Sequence, residues 1–134
     1  MRKIIWNNDY LIGIEEIDSQ HRRIIDQINY LIDNLNNKDK ASINHWIIAN
    51  LDTYSKEHFT AEEYYLRKIN YPKLENHRKH YQSYKKNTIQ SALKAMKVHE
   101  DVPEETIQFL KTWWTDHIQK MDMEYKNFIS NGKL

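Results

Sequence analysis

Residues 41–69 read ASINHWIIANLDTYSKEHFTAEEYYLRKI. Ile43, Ile47, Leu51, Tyr54, Phe59 and Leu66 recur through this stretch at spacings that line one side of an α-helix. No glycine or proline interrupts it. Asn70-Tyr71-Pro72 then ends it, because the residue before a proline is pushed out of the α region. A helix this long with one apolar side must pack against other helices. Leu51, Tyr54 and His58 stand at i, i+3 and i+7, so the apolar side also carries a histidine. Glu62 follows His58 by four residues, roughly 40° further around the same face.

Working outward, the rest of the chain supplies three comparable helices. Ile24, Ile25, Ile28, Leu31, Ile32 and Leu35 predict a helix over about 18–36, with Asp18 or Ser19 available as its cap. A third helix is expected over about 74–98. A fourth is expected over about 103–129, opened by Pro103 with Glu104 and Glu105 in its first turn. Residues 1–17 lack helical periodicity and read as an extended arm packed on the domain. The 134 residues contain only two glycines and two prolines, too few to build the turns of a sheet protein. The expectation is a single all-α domain over 1–134, an up-down-up-down four-helix bundle with an N-terminal arm.

Composition narrows the chemistry. With no cysteine, the chain has no disulfide, no thiolate nucleophile and no sulfur ligand, so any metal would be held by nitrogen and oxygen. Lys+Arg 20 against Asp+Glu 19 gives no electrostatic case for nucleic acid or an anionic membrane. No apolar run approaches the roughly 18 residues of a membrane span. Met1–Trp6 is too short an apolar stretch for a signal peptide. A soluble, cytoplasmic protein is the expectation, with the oligomeric state open and a monomer compatible.

Each expected helix brings at least one imidazole toward the core. His21 precedes Ile24 and Ile25 by three and four residues. His77 lies near the start of the third helix. Trp113 and His117 share a face of the fourth, with Leu110 three residues before Trp113. Asp122 follows His117 by five residues, roughly 140° away on an ideal helix, a gap the reach of the two side chains has to close. A buried carboxylate or imidazole is costly unless it is paired or binds metal. Several in one core are easier to explain with a metal, and this donor set suits Fe, Mn or Zn. His45 and His99 fall outside the pattern and read as surface residues.

With these stretches in hand, the chain resembles the hemerythrins, most closely their bacterial single-domain form. The matching residues are Trp6 with Gly13-Ile14 and Ile17-Asp18-Ser19-Gln20-His21; His58-Phe59-Thr60-Ala61-Glu62-Glu63; Tyr71-Pro72 with Leu74 and His77; and Trp113 through His117-Ile118 to Asp122 and Tyr125. The resemblance implies two iron ions, oxo- or hydroxo-bridged, with dioxygen as their ligand. It makes Glu62 and Asp122 the bridging carboxylates, His21 and His58 the ligands of the iron with an open position, and His77 and His117 ligands of the other. Ile24, Ile25, Ile28, Leu110, Trp113 and Trp114 are candidates for an apolar wall around bound oxygen.

The chain departs from the family pattern at one position. Four residues after His77, where the family has a further histidine, stands Tyr81, and a histidine lies beside it at His80. Tyr81 as a phenolate ligand, His80 through a small shift of the helix, or water could each complete the second iron. The downstream spacing Tyr81, Tyr84, Thr88, Ala92 and Met96 favours Tyr81 facing the core. The leading expectation is reversible dioxygen binding for storage, delivery or sensing, not catalysis. The alternatives are a di-iron redox enzyme acting on peroxide, nitric oxide or dioxygen, and a metal-free helical interaction module.

Overall fold

A computed structural model describes residues 1–35, 37–97 and 102–131. The described residues are helical, with no strand among them. The helices are α1 (Glu15–Asp33), α2 (Ala41–Lys68), α3 (Leu74–Tyr84), α4 (Gln90–Met96), α5 (Glu104–Asp116) and α6 (Met123–Ser130). A π-helical turn, Lys85–Ile89, joins α3 to α4, and a second, His117–Asp122, joins α5 to α6. The six helices therefore form four rods, and these pack as a helical bundle.

α1 begins at Glu15, three residues before the Asp18 expected to cap it. Asp18 instead sits inside the first turn, where its carboxylate accepts the backbone N–H groups of Ile12 (2.7 Å) and Gly13 (3.0 Å). Gly13 has a φ of +95°, which reverses the chain at no side-chain cost. The arm is therefore clamped to α1, and it is not extended throughout: it contains a short 3₁₀ turn, Asn8–Tyr10, and gives way to α1 at Glu15. At the other end of α2, Asn70 takes a left-handed conformation (φ 54°) and Tyr71 N–H returns to Leu66 C=O at 2.9 Å. That is the bond of a Schellman ending, and Asn is among the few residues that accept the conformation readily.

The core is built from Ile17, Ile24, Ile25, Ile28 and Leu31 of α1, Ile47, Ile48, Leu51 and Leu66 of α2, Ile89 and Ala92, and Ile107, Leu110 and Trp114 of α5. Burying an Ile or Leu side chain contributes about 1.5–3 kcal/mol each. Two features of this core differ from the sequence reading. Ile43 is 41% exposed, because the first turns of α2 bury Asn44 and Ile48 instead. In the third rod the register slips. The π turn adds a residue after Tyr84, so Ile89 is buried while Thr88 is not. Of the spacing that pointed Tyr81 inward, Tyr84 and Ala92 are buried and Tyr81 is half-buried against the core, while Thr88 gives way to Ile89. His45 is half-buried rather than on the surface; His99 lies outside the described residues.

Candidate metal centre

Inside the bundle, where apolar side chains would be expected, part of the core is polar. His21, His58, Glu62, His117 and Asp122 are all at most 1% exposed, and His77 is 4% exposed. Each of the first five offers a nitrogen or carboxylate oxygen lying within 4.8 Å of the others. His21 Nε2 is 3.0 Å from His58 Nε2 and 2.8 Å from Asp122 Oδ2. His117 Nε2 is 3.1 Å from Glu62 Oε1 and 3.2 Å from Asp122 Oδ1. His58 Nε2 touches Glu62 Oε1 more closely still. His77 stands at the margin, its Nδ1 3.3 Å from Glu62 Oε2 and its Nε2 3.8 Å from Asp122 Oδ1.

The second π turn explains how His117 and Asp122 face one point. An α-helix would set them far apart around the axis. A π turn bonds i to i+5 and winds more slowly than an α-helix, so a residue five further on comes much closer to the face of the first. His117–Asp122 spans that interval. Each side chain is thereby aimed inward without straining its reach.

Hydrogen bonds account for only part of this proximity. His21 Nδ1, both ring nitrogens of His77 and His117 Nδ1 are buried with no well-directed hydrogen bond, and Glu62 Oε2 and both oxygens of Asp122 face only the imidazoles named above, off the direction of a regular hydrogen bond. An unsatisfied buried polar group costs about 1–3 kcal/mol, so leaving this many together is a heavy penalty for a core that binds nothing. Convergent lone pairs of nitrogen and oxygen are what a bound cation requires. The donor set fits a transition metal without sulfur, and two carboxylates on different helices suit a pair of ions.

The charges agree with that geometry. Burial lowers the His117 imidazole's pKa, but the carboxylates of Asp122 and Glu62 outweigh it and push the group up to about 10. Burial raises Glu62, yet His58 and His117 hold its carboxyl well below the ordinary range. Burial, with the charge of His21 beside it, leaves His58 below its ordinary value. Glu62 thus remains anionic in the core, as a metal bridge must be.

Three residues missed in the sequence hold this cluster in place. Gln20 Oε1 accepts from His58 Nδ1 at 3.0 Å; an amide oxygen can only accept, so Nε2 keeps its lone pair for the centre. Trp114 Nε1–H donates to the Tyr84 hydroxyl at 3.2 Å, and that hydroxyl lies 2.9 Å from Ser55 Oγ, which donates to Leu51 C=O at 2.6 Å. This closed chain fixes the Trp114 ring 5.5 Å from the rings of His58 and His117. Their partners lie tens of residues away in the chain, which no local spacing reveals. Of the expected wall, Ile24, Ile25, Ile28, Leu110 and Trp114 are buried. Trp113 is half-buried and stacks on His117 with ring centroids 4.8 Å apart.

His80 and Tyr81 take different places. The His80 ring is 5.6 Å from that of His117, the same separation as His77 from His117, and it lies against Trp113 at 4.6 Å. Its Nδ1 is buried without a partner. Tyr81 stacks on Phe59 at 4.2 Å instead. Burial and the charge of Asp52 raise its hydroxyl's pKa, which opposes formation of a phenolate.

Comparison with known proteins agrees with this architecture. Residues 12–129 match the model of the family described as the hemerythrin HHE cation binding domain. The chain is 32% identical to a bacteriohemerythrin of Clostridium acetobutylicum over 125 residues, covering 90% of this chain and 97% of that one. It is 30% identical to a bacteriohemerythrin of Stenotrophomonas maltophilia, covering 96% and 83%. It is 29% identical to a hemerythrin-like protein of Naegleria gruberi, covering 92% of each.

Proposed function

The chain belongs to the hemerythrin family, and on that premise we propose that it binds dioxygen reversibly at two iron ions held in the core of an up-down-up-down bundle. The observation that carries this reading is the buried knot of His21, His58, Glu62, His117 and Asp122, with its unpartnered nitrogens and oxygens. His21 and His58 would hold one ion, His77 and His117 the other, and Glu62 and Asp122 would bridge them. For the remaining donor, the position of His80 beside His117 and the packing of Tyr81 on Phe59 favour His80.

When bound, a ferrous pair would supply the electrons that dioxygen draws on as it binds. The chain's own part is to orient and to exclude. Gln20 sets the His58 tautomer. The Trp114–Tyr84–Ser55 chain pins an indole edge-on to His58 and His117, and Ile24, Ile25, Ile28 and Leu110 are buried and add no polar group of their own to hold water. Excluding water protects a reduced centre from side reactions. A phenolate on iron would favour the redox-enzyme alternative, and the packing of Tyr81 on Phe59 lends it no support. The interaction-module alternative would leave the buried donors unsatisfied.

Anaerobic loading with ferrous iron followed by iron analysis tests this assignment. Two ions per chain are expected, with loss of the pair in Glu62→Ala and in Asp122→Ala. Retention of two ions in either variant would remove the bridging role.

A further inference from the structure

Among the imidazoles of the centre, one is tied down from outside. The Nδ1 atoms of His21 and His117 and both ring nitrogens of His77 make no well-directed hydrogen bond among the described residues. His58 differs. Its Nε2 faces Glu62 and His21, and its Nδ1 donates to Gln20 Oε1 at 3.0 Å. By the assignment above, His58 belongs to the iron with the open position. The outer hydrogen bond therefore falls on the ion where a ligand would come and go.

Gln20 is half-buried on α1, and it lines a surface depression with Glu16, Lys56, Glu57, Thr60 and Tyr64. Two carboxylates share that depression, yet neither bonds His58. Glu16, one turn before Gln20, accepts the Tyr65 hydroxyl at 3.0 Å. Glu57, next to His58 in the chain, is exposed. The group that reaches the imidazole is a neutral amide. The distinction is chemical. An acceptor on the outer N–H of a metal-bound imidazole raises the basicity of the ligand. A carboxylate does so more strongly, because a hydrogen bond to an ionised acceptor is about twice as strong as one to a neutral acceptor. A more basic imidazole favours the ferric over the ferrous ion. An amide orients the ring and adds no charge.

We propose that Gln20 is a positioning residue that sets the balance between the ferrous and ferric states of the open iron through His58. Its neutral oxygen fixes the ring and leaves the ferrous state more favoured than a carboxylate at the same place would. The inference rests on the dioxygen reading above and extends it from the ligands to the group behind one of them.

The test compares the unmodified chain with Gln20→Glu and Gln20→Ala near pH 8, where a half-exposed carboxyl is ionised. Glutamate has the size of glutamine and keeps an acceptor, so it separates charge from hydrogen bonding. In the zinc-loaded protein, which has no redox chemistry, the His58 Nδ1–H proton is followed by NMR. It is expected to be visible in the unmodified chain, further downfield in Gln20→Glu, and lost to exchange in Gln20→Ala. In the iron-loaded protein, anaerobic titration against mediators of known potential reads the metal. Gln20→Glu is expected to raise the ferric-to-ferrous ratio at a fixed potential about tenfold, roughly 59 mV for one electron. Gln20→Ala, which removes the acceptor, is expected to weaken iron binding about tenfold. A ratio in Gln20→Glu within about twofold of the unmodified chain, with iron retained, would overturn the proposal. So would an Nδ1–H resonance that is the same in all three proteins. Neither readout uses oxygen. A chain that loads iron and takes up no oxygen would sink the dioxygen reading, while the ratio and the resonance would still decide the role of Gln20.

Discussion

His80 faces the centre across Trp113 and His117, while its neighbour Tyr81 lies on Phe59. His80→Ala should therefore lower iron occupancy below two per chain, whereas Tyr81→Phe should leave it unchanged. The resting iron protein should also lack a phenolate-to-iron absorption band. Full occupancy in His80→Ala, or such a band that vanishes in Tyr81→Phe, would reverse the assignment. Free of metal, the His80 imidazole is lowered to about 4 by burial and by the charges of His117 and His77. A depressed pKa contributes stability that is present above the unfolded value, near 6.5, and is lost as pH falls toward 4. The metal-free protein should lose stability across that window, and the loss should be smaller in His80→Ala, as denaturant titrations at several pH values would show. The inward phases of His21, His58, Glu62 and His117 were legible because each stands a helical interval from apolar residues. The choice between His80 and Tyr81 was not, because an i+3 and an i+4 neighbour flank His77 almost equally and only the packing of Trp113 and Phe59 separates them.

At the scale of elements, the two π turns are the departures from regularity that matter. The one at His117–Asp122 turns a five-residue interval into a shared face; the one at Lys85–Ile89 shifts the downstream core from Thr88 to Ile89. Helix periodicity assumes a constant turn, so neither could be read from spacing, although the awkward His117–Asp122 interval was itself the visible trace of one. A π turn is held by fewer well-placed bonds than the α-helix around it. Amide exchange across residues 117–122 should thus be faster than in the middle of α2 without metal, and should slow by about tenfold or more on metal loading. Equal exchange with and without metal would detach the turn from the site. The arm makes a second element-level prediction. Gly13 has open space around it but a φ of +95°. Gly13→Ala should cost about 1–2 kcal/mol in denaturant unfolding through backbone strain alone.

For the whole molecule, the apolar periodicity and the scarcity of glycine and proline were enough to read a helical bundle, because long amphipathic helices have few other ways to bury their faces. Among the described residues no helix is long and apolar enough to cross a membrane. The boundaries shifted where the chain found partners that spacing does not encode, as at Asp18, which clamps the arm instead of capping α1. Fold and site are coupled through the same side chains: the residues that would bind metal are also the least satisfied part of the core, so metal loading should raise the unfolding midpoint. The most direct test is an oxygen titration of the anaerobically loaded ferrous protein, following visible absorption through repeated cycles of oxygenation and degassing. Reversible binding predicts a visible charge-transfer band that appears with oxygen, saturates at one dioxygen per two irons and disappears on degassing. A loaded protein that shows no oxygen-dependent band, or that oxidises in the first cycle and does not return, would contradict it.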